Sequence, residues 1–165
     1  MSSFSIDLDS KRPYRYAFSV SLWETSRKKF GEHVRVLLDT GSFNTIIHKD
    51  LVDKYGVMLD ATMKTSVGGF KGEANICILH KMRIGDYVLD KVVALAVPFE
   101  GELIDHILLG ANVTNNWELT LSRLKNKLTA TEQFSEITSQ REFPYRYCFN
   151  NKGQVMAFQE MENDC

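Results

Sequence analysis

The stretch Val34-Arg35-Val36-Leu37-Leu38-Asp39-Thr40-Gly41-Ser42 constrains the fold of this chain more than any other. Val34, Val36 and Leu38 alternate with Arg35 and Leu37 at the two-residue period of a strand, and the β-branched residues favour a pleated backbone. The run then stops on Asp-Thr-Gly-Ser. An apolar strand that buries itself therefore delivers a carboxylate onto a tight turn, with the hydroxyls of Thr40 and Ser42 beside it. Asp and Gly are also common turn residues, so this stretch alone would fit an ordinary connection.

The rest of the chain reads as more strands. Residues 1–13 are polar and end at Lys11-Arg12-Pro13, which predicts a loose lead-in. Tyr14 to Trp23 alternates as a strand, and Glu24 to Glu32 is a hairpin loop whose basic residues read as a solvated turn. After Asp39, residues 44–47 resume a strand. His48 to Gly56 reads as a short helix with Leu51, Val52 and Tyr55 on its apolar face and Gly56 as its stop. Strands over 58–67 and 73–83 flank the glycine-rich tip Ser66-Val67-Gly68-Gly69-Phe70-Lys71-Gly72. Val88 to Val97 is strongly β, and 99–105 is an acidic loop. Residues 107–109 form a buried strand, 111–116 one or two helical turns, and 117–121 and 128–131 a further strand pair. Residues 133–140 read as a linker, followed by an aromatic hairpin, 145–149 and 154–158, around Asn150-Asn151-Lys152-Gly153, and then by frayed residues 159–165. Many short strands with no βαβ repeat predict an all-β, closed barrel with one or two short helices.

With 165 residues, 44% of them hydrophobic, the chain suits one domain with a real core. A net charge of −1 provides no global field to attract nucleic acid or an anionic membrane. The three cysteines and four histidines show no zinc-ligand spacing, so neither a metal nor a cofactor is expected. The acidic amino terminus lacks the basic start and apolar core of a signal peptide, and no apolar run approaches the roughly 20 residues that span a bilayer. These features predict a cytoplasmic, reduced protein without membrane contact. His106, next to Asp105, reads as a surface residue and not as a catalytic base.

Leu37-Leu38-Asp39-Thr40-Gly41-Ser42 resembles the active-site loop of the retropepsin-like, single-domain aspartic proteases. Ile107-Leu108-Leu109-Gly110-Ala111-Asn112-Val113 is similar to the segment that packs beneath that loop in retroviral enzymes. The glycine-rich tip between them resembles the flap. The resemblance implies a retropepsin-like β-barrel over 14–131, with a lead-in over 1–13 and a carboxy-terminal extension with a β-hairpin over 132–165. It implies Asp39 as the catalytic residue, supported by Thr40, Gly41 and Ser42. Thr40 would bond across a two-fold axis, Gly41 would let its amide approach the carboxylate, and Ser42 would hydrogen-bond Asp39. Val67, Gly68, Gly69 and Phe70 would form the flap contacts with substrate, and Leu109, Gly110 and Asn112 the support beneath the loop.

This chemistry needs two carboxylates sharing a proton. The chain contains one Asp-Thr-Gly and no second Asp-Thr-Gly or Asp-Ser-Gly. The implied enzyme is therefore an endopeptidase acting as a homodimer on polypeptide substrates, with Asp39 facing its own copy. Two departures stand out: the chain runs well past the family's usual end, and Phe43 is bulkier than the small residues common after the loop. Two alternatives remain: a retropepsin-like binding or assembly module that cleaves little, and a generic β-barrel with an accidental Asp-Thr-Gly.

Overall fold

The computed structural model describes residues 3–11, 15–67, 69–98, 106–132, 139–142, 145–149 and 155–160, the last three stretches as backbone only. In chain order the elements are β1 (Ser3–Asp7), β2 (Ala17–Glu24), β3 (Lys29–Leu38), β4 (Thr45–His48), α1 (Val52–Tyr55), β5 (Gly56–Val67), β6 (Phe70–Ile84), β7 (Tyr87–Val97), β8 (Ile107–Leu109), α2 (Ala111–Thr114), β9 (Trp117–Ser122), β10 (Lys127–Glu132), β11 (Ser139–Glu142), β12 (Tyr145–Phe149) and β13 (Val155–Glu160).

Strands pair in the order β2-β3-β8-β4-β7-β6, and β6 returns to β2 through Ser21–Arg83 and Leu22–Met82, closing a six-stranded barrel. Closure removes most of the exposed sheet edge. β5 lies outside the ring, paired with β6 as a long hairpin. β3 runs parallel to β8, β4 parallel to β7, and β4 antiparallel to β8. That arrangement sets the end of β3, where Asp39 follows, directly beside Leu109. A second sheet, β1-β10-β9, flanks the barrel, and β11-β12-β13 forms a third.

β7 divides two apolar clusters by its alternation. Val92, Ala94 and Ala96 face the main core with Phe18, Val36, Leu79 and Ile107. Val93, Leu95 and Val97 face a smaller cluster with Ile46, Met63, Ala74 and Ile76. Because both faces are covered, β7 is buried continuously from Val92 to Val97, which explains its unbroken apolar run. Fully burying one such aliphatic side chain contributes about 1.5–3 kcal/mol.

Several sequence readings change. The lead-in carries β1, because Phe4 and Leu8 bury themselves in the main core. Phe4 stacks on Tyr87 at 4.9 Å and meets Trp117 edge-on at 5.2 Å. The strand expected from Tyr14 begins at Ala17. The expected helix 48–56 is a 3-10 turn, Lys49–Leu51, followed by α1; His48 Nδ1 caps it by accepting from the Asp50 amide at 3.2 Å. Gly56 has an extended backbone (φ −162°) and opens β5. A Cβ there would lie 2.4 Å from the Ile78 carbonyl oxygen, so glycine is required by the close approach of β5 to β6, not by a left-handed helix stop. In the expected linker, Ser139 and Gln140 belong to β11. The expected acidic loop 99–105, the turn 150–153, most of the linker and the last residues from 161 lie outside the described residues.

Candidate active site

β3 carries the site because its alternation is satisfied on the inner face. Val34 is 8% exposed and Val36 fully buried, and Leu38 packs partly against the same core. The next residue, Asp39, sits half-buried at the rim, and Thr40 and Gly41 are exposed at the turn. The Asp39 amide donates to the Leu109 carbonyl at 2.9 Å, which ties the carboxylate-bearing residue to β8. The Ser42 amide closes the turn onto the Asp39 carbonyl at 3.3 Å.

The segment 109–113 lies beneath this loop. Ala111 N–H donates to Ser42 O at 2.7 Å and Asn112 N–H to Phe43 O at 2.8 Å. Gly110 fits where no side chain could. Its Cβ would stand 2.4 Å from the backbone C and O of Asn44 and 2.8 Å from the Phe43 carbonyl. The Gly110 amide donates to Thr45 Oγ1 at 3.0 Å, and that hydroxyl donates on to Asn112 Oδ1 at 2.7 Å. Asn112 Oδ1 also accepts from Thr45 N at 3.0 Å, and Asn112 Nδ2 donates to Val93 O at 2.9 Å. Asn112 is 2% exposed and Thr45 fully buried. The lock thus joins β4, β7 and the start of α2 directly under the Asp39 turn. Bonds of this kind gain strength in a dry interior, and their members cannot turn to water instead.

Thr45 was not identified from sequence, since a threonine opening an apolar strand carries no distinguishing signal. Ser42 also differs from expectation: its Oγ donates to the Asn44 carbonyl at 3.1 Å and not to Asp39. A hydroxyl has one proton, and the tight turn places a backbone acceptor two residues on within its reach. At Gly41 a Cβ would meet only Asp39 Oδ1, at an ordinary 3.6 Å, so packing within one chain does not itself demand glycine there.

The hairpin of β5 and β6 ends in a two-residue turn between the paired Val67 and Phe70. Gly69 has φ +81°, a left-handed value that glycine adopts without a steric penalty. Gly68 lies outside the described residues. Val67 and Phe70 are half-buried against the smaller cluster, which Phe43 and Leu108 join from the loop side. Hairpin tip and the flank of the Asp39 loop therefore share one apolar cluster. Asn44 Nδ2 also donates to Met63 Sδ, at 3.5 Å, linking that flank to the root of the hairpin. His106 is exposed and serves through its backbone: its amide donates to Arg35 O at 3.1 Å and its carbonyl accepts from His48 N at 2.9 Å.

A family model described as "Aspartyl protease" matches residues 28–113, a span holding Asp39, the hairpin tip and the Gly110–Asn112 support. The chain belongs to the aspartyl protease family. Among solved structures, a retropepsin-like aspartic protease from Rickettsia conorii is similar at a TM-score of 0.50 and 14% identity, covering 78% of this chain and 89% of that one. At that identity the likeness carries the fold, which is retropepsin-like. No curated protein matches the sequence. Among the described residues, no three His, Cys, Asp or Glu side chains are grouped to hold a metal ion. Nor is any described helix long and apolar enough to cross a membrane.

Proposed function

We propose that the protein is an aspartic endopeptidase whose working form is a homodimer, each copy supplying one Asp39 carboxylate. The observation that carries this reading is the single Asp39, held by its own backbone above the Gly110–Thr45–Asn112 lock and flanked by an apolar surface shared with a hairpin tip. Two carboxylates brought together do not both ionise, so the pair keeps one proton between them. The ionised member takes a proton from water while the protonated one donates to the scissile carbonyl oxygen. The tetrahedral adduct then collapses: the carboxyl that took the water proton passes it to the leaving nitrogen, the C–N bond breaks, and an adduct hydroxyl returns a proton to the other carboxylate, restoring the pair. Thr40 and Gly41, exposed at the turn, would meet the partner's turn, and Ser42 would hold the turn's shape through Asn44. The hairpin tip, Val67 to Phe70, would close over an extended peptide and lend it main-chain hydrogen bonds. Phe43, Val67, Phe70 and Leu108 favour apolar substrate side chains.

The test is Asp39→Asn, which is nearly isosteric and cannot ionise. Cleavage of denatured protein or a peptide library should fall by at least about 10²–10⁴, the usual worth of general acid–base catalysis. Melting temperature and dimerisation should hold or rise, because two adjacent carboxylates no longer repel. A variant that cleaves like the parent would remove Asp39 from the chemistry. A parent that dimerises but cleaves nothing across such a library would favour the binding-module alternative.

A further inference from the structure

Trp23 and Phe30 pair across the β2-β3 hairpin, close to where β2 closes the barrel onto β6. Leu22 and Glu24, on either side of Trp23, are buried, so the alternation of the strand turns the Trp23 ring outward. The two rings meet edge-on with centroids 5.3 Å apart. Lys81 and Arg83, both exposed on β6, lie over them. The Lys81 ammonium is 5.1 Å from the centre of the Trp23 ring, and the Arg83 guanidinium is 4.4 Å from that of Phe30. Nearby, Arg27 and Lys54 are engaged with the carboxylate of the buried Glu24. Among the described residues, Lys81 and Arg83 have no such acidic partner. A ring face attracts a cation more weakly than a carboxylate does. Two cations are thus held in place with their charge unmatched by an acid.

Spacing says what fits. Lys81 and Arg83 stand two residues apart on one strand, so their side chains leave the same face about 6.5–7 Å apart. An extended peptide repeats its own side chains at that interval. Stacking on Trp23 and Phe30 orders two long side chains in advance, which lowers the cost of gripping an anion. The strands beneath are paired on both sides, β2 with β3 and β6, and β6 with β2 and β7, so no edge is open here to an added strand and side chains must do the recognition. Each ring already has a cation over it, which disfavours stacking of nucleic-acid bases, and a chain of net charge −1 offers no wider field for a run of phosphates. We propose that this face docks an acidic segment of a partner polypeptide, one carrying carboxylates at alternate positions. Asp90, exposed opposite Lys81 on β7, would repel such a segment and directs it toward the β2-β3 side. The run from Phe30 to Asp39 separates the patch from the Asp39 loop by roughly 25–30 Å along β3. The docking site is therefore distinct from that loop and independent of what Asp39 does.

The probe is a fluorescently labelled, amidated Glu-Ala repeat of about ten residues, whose carboxylates line one side when extended. Its anisotropy is measured with the full chain, both as it stands and as Asp39→Asn. Binding should be saturable, equal in the two, weaker in raised salt, and absent for a Gln-Ala repeat. Lys81→Gln combined with Arg83→Gln should lower the affinity at least about tenfold, the usual worth of a charge-assisted contact. Both side chains are exposed, so the melting temperature should hold. Reversal, Lys81→Glu with Arg83→Glu, should abolish binding of the Glu-Ala repeat and create binding of a Lys-Ala repeat. The proposal is overturned if the parent binds the Glu-Ala and Gln-Ala repeats alike, or if the double glutamine variant binds the acidic repeat as tightly as the parent. It is also overturned if single-stranded DNA of equal charge binds more tightly and loses that binding in the same variant, which would make the partner a nucleic acid. Loss of cleavage in Asp39→Asn, or its persistence, moves none of these results.

Discussion

Replacing Asn112 with alanine should cost far more than an average surface substitution. The side chain is 2% exposed and serves three bonds: from Thr45 N at 3.0 Å, from Thr45 Oγ1 at 2.7 Å, and to Val93 O at 2.9 Å. Thr45 Oγ1 can turn its proton elsewhere, but the Thr45 amide and the Val93 carbonyl are fixed by their strands. Each buried polar group left without its partner costs about 1–3 kcal/mol, giving roughly 2–6 kcal/mol for the two. Domains of this size lose about 2–4 °C of melting temperature per kcal/mol, so the midpoint should fall on the order of 5–20 °C. The assay is urea and thermal unfolding of parent and variant at equal protein concentration, so that dimer coupling is held constant. Asn112→Asp separates the two halves of the effect. It keeps an acceptor for Thr45, loses the donor to Val93 and buries a charge, and should also be destabilised. An Asn112→Ala variant within 1 kcal/mol of the parent, at an unchanged denaturant slope, would refute the claim that this lock holds the loop.

Gly110→Ala should destabilise by about 1–3 kcal/mol or more, because the new methyl meets Asn44 and Phe43 backbone that cannot move aside; unchanged unfolding would show that the loop yields. Burial pushes the Cys77 thiol up to about 12 from an ordinary 9, so alkylation mapped by mass spectrometry should reach it only after unfolding. The unfolded thiol releases its proton first as pH rises, so the folded state then binds more protons and Cys77 lowers stability progressively between pH 9 and 12. Cys77→Ala should lack that added slope, and parallel stability profiles across this range would contradict it. Amide exchange near Gly69 should be faster than in Val92–Val97 and slow when a peptide binds; equal protection without ligand would count against a moving flap.

Much of this protein was legible from local pattern. Val34, Val36 and Leu38 announced a strand by alternation, Asp39 stood at its end, and Val67 to Phe70 marked a hairpin tip. Such features depend on residues a few positions apart, where side-chain period and turn chemistry act directly. The motif order also led to the retropepsin-like fold.

What the tertiary structure alone decided were contacts between distant segments. β1 exists because Phe4 finds Tyr87 and Trp117, none of them near it in the chain. Gly56 is glycine because Ile78 of a neighbouring strand leaves no room for a Cβ. Thr45 became part of the site only when folding brought Gly110 and Asn112 to its hydroxyl. Ser42 turned to Asn44 because loop geometry, not residue type, chose its acceptor. Sequence periodicity reports which face of an element is buried; it carries no record of which remote atom lies against that face, and steric fit and hydrogen-bond partnership are decided there.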